Sequence, residues 1–380
     1  MRFSRRDFLR LPRFPSEAGK GALVVLFLRG GADGLNLVPP HGEEAYYKAR
    51  PSLSVARPDD GGAIDLDGFF GLHPGLAPLL PIYNDKEMAV VHAVGSEDRT
   101  RSHFEAQDLM EHGCPVNKDP GSGWVARYLR TVKGRLSPLS AVAISDVLPE
   151  SLRGSPGASA VRSVEEFSLH LGKSRRSGFI PALESLYRKE GGGLGRAGLH
   201  VLDTVEAIDR LRQGAETGPR EGLAHALHQA TRLIRADVGL RVACVDFGGW
   251  DSHFVQGAIF DGLAEELGEA LASFFRDVRD RRVTVVVMTE FGRRLTENAS
   301  LGTDHGRGSV MFVLGKGIRG GRVYGDWPGL GRDDLEGPGD LRVTTDYRNV
   351  LAEIVQKRMG NDRTADIFPG HSAAFPGLVE

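Results

Sequence analysis

The chain has 380 residues, 41% of them hydrophobic and 26% charged, with a formal net charge of −2. That is the composition of an ordinary soluble globular protein, long enough for one large α/β domain or a domain with an insertion. The basic residues are dispersed and leave no electrostatic footprint for nucleic acid, and no apolar run approaches the ~18 residues of a transmembrane helix.

The stretch SRRDFLR, from Ser4 to Arg10, looks like a twin-arginine export motif. An apolar segment should come after it, but Pro12, Arg13, Pro15, Glu17 and Lys20 oppose one. We therefore expect residues 1–20 to be a twin-arginine-like N-terminal segment. The motif suggests export, while these prolines and charges favour cytoplasmic retention. The remainder, residues 21–380, reads as one α/β domain.

Residues 22–28 are the first expected strand, and the glycine-rich turn RGGADGLN follows it. The turn matches neither G-x-G-x-x-G nor a P-loop. Asp33 within it is either a metal ligand at a strand end or the turn residue of an Asp-Gly pair. A short, proline-interrupted helix is expected over 73–84, a strand over 88–94, helices over 102–111 and 123–132, and a short strand over 141–144. From about 149 to 239 strand signals disappear and amphipathic segments such as 202–213 and 221–236 take over, which predicts a helical insertion. Strands are expected again at 241–246, 283–288 and 310–314, with helices over 261–280 and 346–359. Strands separated by helices imply a mainly parallel sheet covered on both faces.

Residues able to do chemistry follow the expected strands. Val283 to Met288 is a nearly all apolar, β-branched run that suits a strand buried on both faces. Glu290 comes directly after it, where open α/β sheets hold their ligands. Asp304 and His305 follow a short polar loop. After the strand at 241–246 comes FGGWDSH, with Asp251 and His253 two residues apart. Carboxylates and imidazoles in this pattern suit Zn, Mn or Fe better than a soft-metal site, and we expect a divalent metal, Zn or Mn, as one or two ions. Trp250 reads as a packing residue, and His225 and His228 as surface or cap residues.

The stretch GSEDRTRSHFEAQD has two readings. Ser102 and Glu105 form an S-x-x-E capping box at a helix start. Equally, a hydroxyl at a helix N-terminus beside a metal is how a nucleophile is activated, with Ser102 first and Thr100 its competitor. Arg99 and Arg101 either grip an anionic ester or are solvated. His103 is a ligand, a base or a plain helix residue. The two cysteines form no framework: Cys244 is expected in the core and Cys114 as a loop thiol.

RGGADGLN, RSHFEAQD, GGWDSH, TEFGR, GTDHG and TTDYRNVLAEI occur in the order found in the domain-of-unknown-function 1501 family, which the chain resembles from about Leu23 to Phe368. That family looks like a branch of the alkaline phosphatase-like superfamily. The resemblance implies a three-layer α/β/α sandwich, usually with two divalent metals and a small anionic ester as substrate. Asp33 then resembles a ligand at the end of the first strand, Ser102 or Thr100 the nucleophile, and Asp251 with His253 a later ligand pair. The superfamily's Asp-His-Gly is matched by strand context at Glu290-Phe291-Gly292 and by letters at Asp304-His305-Gly306. The function we expect on that fold is a metal-dependent hydrolase of phosphate or sulfate esters. The alternative is a catalytically degraded binding or accessory envelope protein on the same fold.

Overall fold

The computed structural model describes residues 21–115, 121–133, 136–155, 157–167, 173–211 and 218–380. The expected twin-arginine-like segment therefore lies outside the described residues, as do positions 212 and 213 of the expected 202–213 helix.

The sheet is built from β1 (Ala22–Leu28), β2 (Met88–Gly95), β3 (Ala141–Ala143), β4 (Ala158–Ala160), β5 (Val242–Phe247) and β6 (Val283–Thr289). A hairpin of β7 (Arg293–Glu297) and β8 (Thr303–His305) projects from it. The strands β9 (Ser309–Leu314), β10 (Arg322–Tyr324) and β11 (Thr345–Asp346) complete the sheet. It has nine strands, in the order β10-β2-β9-β6-β1-β5-β3-β4, with β11 also on β2. β1 sits between β6 and β5, parallel to both. β9 alone runs antiparallel to its neighbours β2 and β6.

The continuous apolar strands follow from burial on two faces. In β1, Val24, Leu26 and Leu28 enter one core, and Leu23, Val25 and Phe27 enter the other, because side chains alternate across a strand. The first core is roofed by α5 (Gly222–Arg235) and α6 (Gln256–Val278). Phe260, Ala264, Leu267, Leu271 and Phe274 of α6 recur at helical spacing and face the sheet. The second core is covered by α1 (His103–His112), α2 (Trp124–Thr131) and α7 (Tyr347–Glu353). The result is the expected three-layer α/β/α arrangement on a mainly parallel sheet.

Three details depart from the expectations. The segment 149–239 is not purely helical, since β4 lies within it and extends the sheet beside β3. Its Ala-Ser-Ala sequence carries no β-branched residue, so pairing with β3 rather than propensity makes the strand. α3 (Lys173–Glu190) and α4 (Gly192–Leu211) are the helices of that segment that pack on each other. Cys114 is buried rather than a loop thiol open to solvent, whereas Cys244 is in the core as expected. The closing helix runs as α7 only to Glu353 and continues as a π turn over Ile354–Arg358. Among the described residues no helix is long and apolar enough to cross a membrane.

The core carries a pH liability at His92 on β2. Its buried ring donates from Nε2 to the Val38 carbonyl at 3.0 Å and accepts at Nδ1 from the Ala93 N–H at 2.9 Å. Both nitrogens are committed in the neutral form, so a second proton would set N–H against N–H. Burial pushes the pKa down from 6.5 to about 4, against the opposing hydrogen bond to Val38. The unfolded chain therefore takes up this proton before the folded one does. Stability from His92 is complete above pH 6.5 and is lost as pH falls toward 4, by about 3 kcal/mol at the lower end. Urea titrations of wild type should show this slope, and His92→Asn should flatten it.

Candidate metal centre

Beyond the carboxyl ends of β1, β5 and β6 the chain makes three turns, and Arg293 at the start of β7 holds them together. Its fully buried guanidinium donates from Nε to Gly31 O (2.7 Å) and from Nη1 to Thr303 O (3.0 Å). Nη2 reaches Gly30 O (2.6 Å), Trp250 O (3.1 Å) and Asp251 Oδ1 (2.8 Å). Gly30 adopts φ +117°, and a Cβ there would fall 2.5 Å from the backbone nitrogen of Asp251. Only glycine lets the first turn pass so close to the second. Trp250 is buried, the packing residue it was expected to be.

Around this anchor, His103, Asp251 and His305 bring one ligand atom each to within 4.8 Å of one another. His305 arrives on β8, which pairs with β7 so that His305 lies opposite Arg293. Its Nδ1 donates to the carbonyl of Arg101 at 2.8 Å. A carbonyl can only accept, so that contact fixes the tautomer and leaves the Nε2 lone pair facing Asp251 Oδ1 at 3.2 Å. Arg101 has φ +56°, and this left-handed residue adjoins Ser102, the N-cap of α1.

His103 is held the same way from the other side. Its Nδ1 lies 2.8 Å from Glu290 Oε1, and its Nε2 is buried without a hydrogen-bond partner among the described residues, 3.4 Å from Asp251 Oδ2. Glu290 is fully engaged: Oε1 also accepts from Gly30 N at 2.9 Å and from Gln107 Nε2 at 2.7 Å, while Oε2 accepts from Thr289 Oγ1 at 2.9 Å. His103 and Gln107 stand one turn apart on α1 and grip the same oxygen. Arg29 fastens the next turn through Glu111 at 3.0 Å. Phe291 packs its ring against both His103 and His305, with centroids 4.8 Å away in each case.

The electrostatics come from these contacts. The hydrogen bond to Glu290 raises the His103 pKa against the opposing effect of burial. Burial lowers that of His305. Burial also opposes ionisation of Asp251 and Glu290, but the hydrogen bond from Arg293 on the one, and those from His103 and Gln107 on the other, outweigh it and lower both. Two imidazole Nε2 atoms thus converge on one ionised carboxylate, each ring oriented through its Nδ1. That is the arrangement of histidine ligands, and an N, N, O donor set fits Zn or Mn. A cation held here would compete with the proton on His103, so its affinity would fall as pH falls.

The remaining expected residues divide. His253 joins the edge of the group, its Nε2 2.8 Å from His305 Nε2 and 3.1 Å from Asp251 Oδ1. Asp304 stands behind His253 at 3.7 Å and pairs with Arg294 at 3.1 Å. Asp33 is engaged elsewhere: its buried Oδ2 accepts from Arg50 Nη1 and Gln256 Nε2, both at 2.7 Å. Glu290 orients a histidine instead of contributing an atom to the three-residue group. Arg101 is paired with the buried Asp340 through Nε at 2.9 Å and through Nη2, so that guanidinium is not free for an anion, while Arg99 is exposed. Ser102 occupies the N-cap position of α1 but makes no side-chain cap hydrogen bond, so the expected capping box does not form. Thr100 Oγ1 donates to Asp98 Oδ2 at 2.8 Å.

The family model described as protein of unknown function (DUF1501) matches residues 89–367. The chain belongs to that family. A search of the curated proteins found no match for this DUF1501 chain. Among solved structures it is similar to a phosphonate monoester hydrolase of Agrobacterium radiobacter, at TM-score 0.41 and 11% identity, covering 93% of this chain and 78% of that one. It is also similar to the C-terminal periplasmic domain of EcEptC from Escherichia coli in complex with Zn, at TM-score 0.40 and 8% identity, covering 79% and 74%. An alkaline phosphatase from the Antarctic bacterium TAB5 gives TM-score 0.32 and 10% identity, covering 79% and 92%.

Proposed function

We propose that this DUF1501 protein is a metal-dependent hydrolase of small phosphate or sulfate esters, with one Zn or Mn ion held by His103, Asp251 and His305. The observation that carries the reading is the pair of Nε2 atoms aimed at Asp251, each ring oriented through its other nitrogen. A divalent cation at this place supplies Lewis acidity to an ester oxygen. The chain's own part is to hold the donors still. Glu290 and the Arg101 carbonyl orient the rings, Arg293 keeps Asp251 ionised, and Phe291 closes one side with apolar surface. His253, with Asp304 behind it, stands partly exposed and positioned to take up a proton.

In this reading Ser102 is the nucleophile. It is the residue before His103 and spends no side-chain hydrogen bond on capping. The test is turnover of phosphate monoesters, phosphate diesters and sulfate esters by the Zn- or Mn-loaded protein and by Ser102→Ala. Ser102→Ala should lower turnover by about 10³-fold while changing stability by less than about 0.5 kcal/mol, because no cap bond is lost. Undiminished turnover in folded Ser102→Ala would transfer the attack to water or Thr100. No turnover by metal-loaded wild type on any of these esters would favour the binding protein on the same fold instead.

A further inference from the structure

The other end of α1 carries a second cluster. His112 lies in its last turn, Asp108 one turn earlier on the same face, and Glu150 approaches from the 3-10 turn Glu150–Leu152. Asp108 Oδ2 is 3.3 Å from His112 Nδ1, and Glu150 Oε2 is 3.4 Å from His112 Nε2. The His112 side chain is only 8% exposed, and its Nε2 has no hydrogen-bond partner among the described residues. A buried nitrogen left unpaired is costly, so a ligand there would stabilise the fold.

We propose that Asp108, His112 and Glu150 form a second divalent cation site, structural in role, that ties the last turn of α1 to the turn at 150–152. The Asp108 carboxylate beside Nδ1 favours the tautomer protonated there, which turns the Nε2 lone pair toward Glu150. The separation of Nε2 and Oε2, 3.4 Å, is close to that of two ligands at ~2.0–2.2 Å around a tetrahedral ion. Asp108 and Glu150 are about half exposed, which leaves room for water in the remaining positions. The C-terminal end of a helix also favours positive charge. Arg153 Nη1 lies 3.2 Å from Glu150 Oε2 on an exposed side chain, so it competes with the cation and is displaced by it. The site is independent of ester hydrolysis and shares no residue with the group at the strand ends.

The experiment uses the full chain carrying Asp251→Asn and His305→Ala, stripped with chelator and titrated calorimetrically with zinc chloride. Removing the strand-end donors makes the result independent of the hydrolase reading. One equivalent of zinc should bind and raise the thermal midpoint. Adding Glu150→Gln should weaken binding by about 10-fold or more, with circular dichroism unchanged, and adding Arg153→Ala should tighten it. No zinc bound in this background would overturn the proposal, as would binding that ignores both Glu150→Gln and Arg153→Ala.

Discussion

Replacing His305 by Ala should remove one bound divalent ion per chain and lower ester turnover by about 10³-fold or more, a loss of at least about 4 kcal/mol in transition-state stabilisation. Of the three proposed ligands, His305 has the tautomer fixed most firmly, by a 2.8 Å hydrogen bond to a carbonyl that can only accept. Its side chain is 20% exposed and stands at the rim, so truncation costs the fold little. Asp251→Asn should give the same loss with less change of shape. It keeps an oxygen for Arg293 but removes the charge that attracts the cation. Elemental analysis after gel filtration, alongside kinetics, separates the outcomes. Full metal content in both variants would show that these residues do not hold the ion.

Arg293→Met should be the most destabilising single change, at about 3–5 kcal/mol by urea unfolding. The guanidinium is fully buried and satisfies four carbonyls and one carboxylate. An apolar side chain of similar length fills the space, takes the guanidinium donors from Gly30 O, Gly31 O and Thr303 O, and leaves Asp251 without its main counter-charge, although Trp250 O keeps its bond from Ser252 N. Arg293→Lys restores the charge but offers three donors in place of five and no planar fork. It should recover only part of the loss. A cost below about 1 kcal/mol for Arg293→Met would mean that water reaches these carbonyls.

The fold was largely legible in the sequence for a physical reason. β1, β5 and β6 are buried on both faces, so each reads as an unbroken apolar run, and the long α6 shows its apolar face at helical spacing. β4 was not legible because three small residues take their conformation from the neighbouring strand. At the site, Asp251, His253 and His305 were legible because they come after strands or a short loop and combine two ligand types. His103 was underweighted, since its neighbours spelled a capping box that explained the segment without it. Its signal was a histidine one turn before Gln107 at a helix start beside a strand end. Asp33 carried the same letters as a ligand, yet nothing local announced that Arg50, seventeen residues on, would claim it. Arg293 and Arg294 are adjacent and chemically identical. Only the alternation of β7 buries the first and leaves the second partly exposed, and that depends on a register no motif encodes.

The most direct test of a metal centre at the strand ends is an anomalous difference map at the zinc absorption edge from crystals of zinc-loaded protein. A peak is expected within about 2.0–2.2 Å of His103 Nε2, His305 Nε2 and a carboxylate oxygen of Asp251. Full zinc loading with no peak among these three atoms, or with one at Asp33 instead, would contradict that assignment.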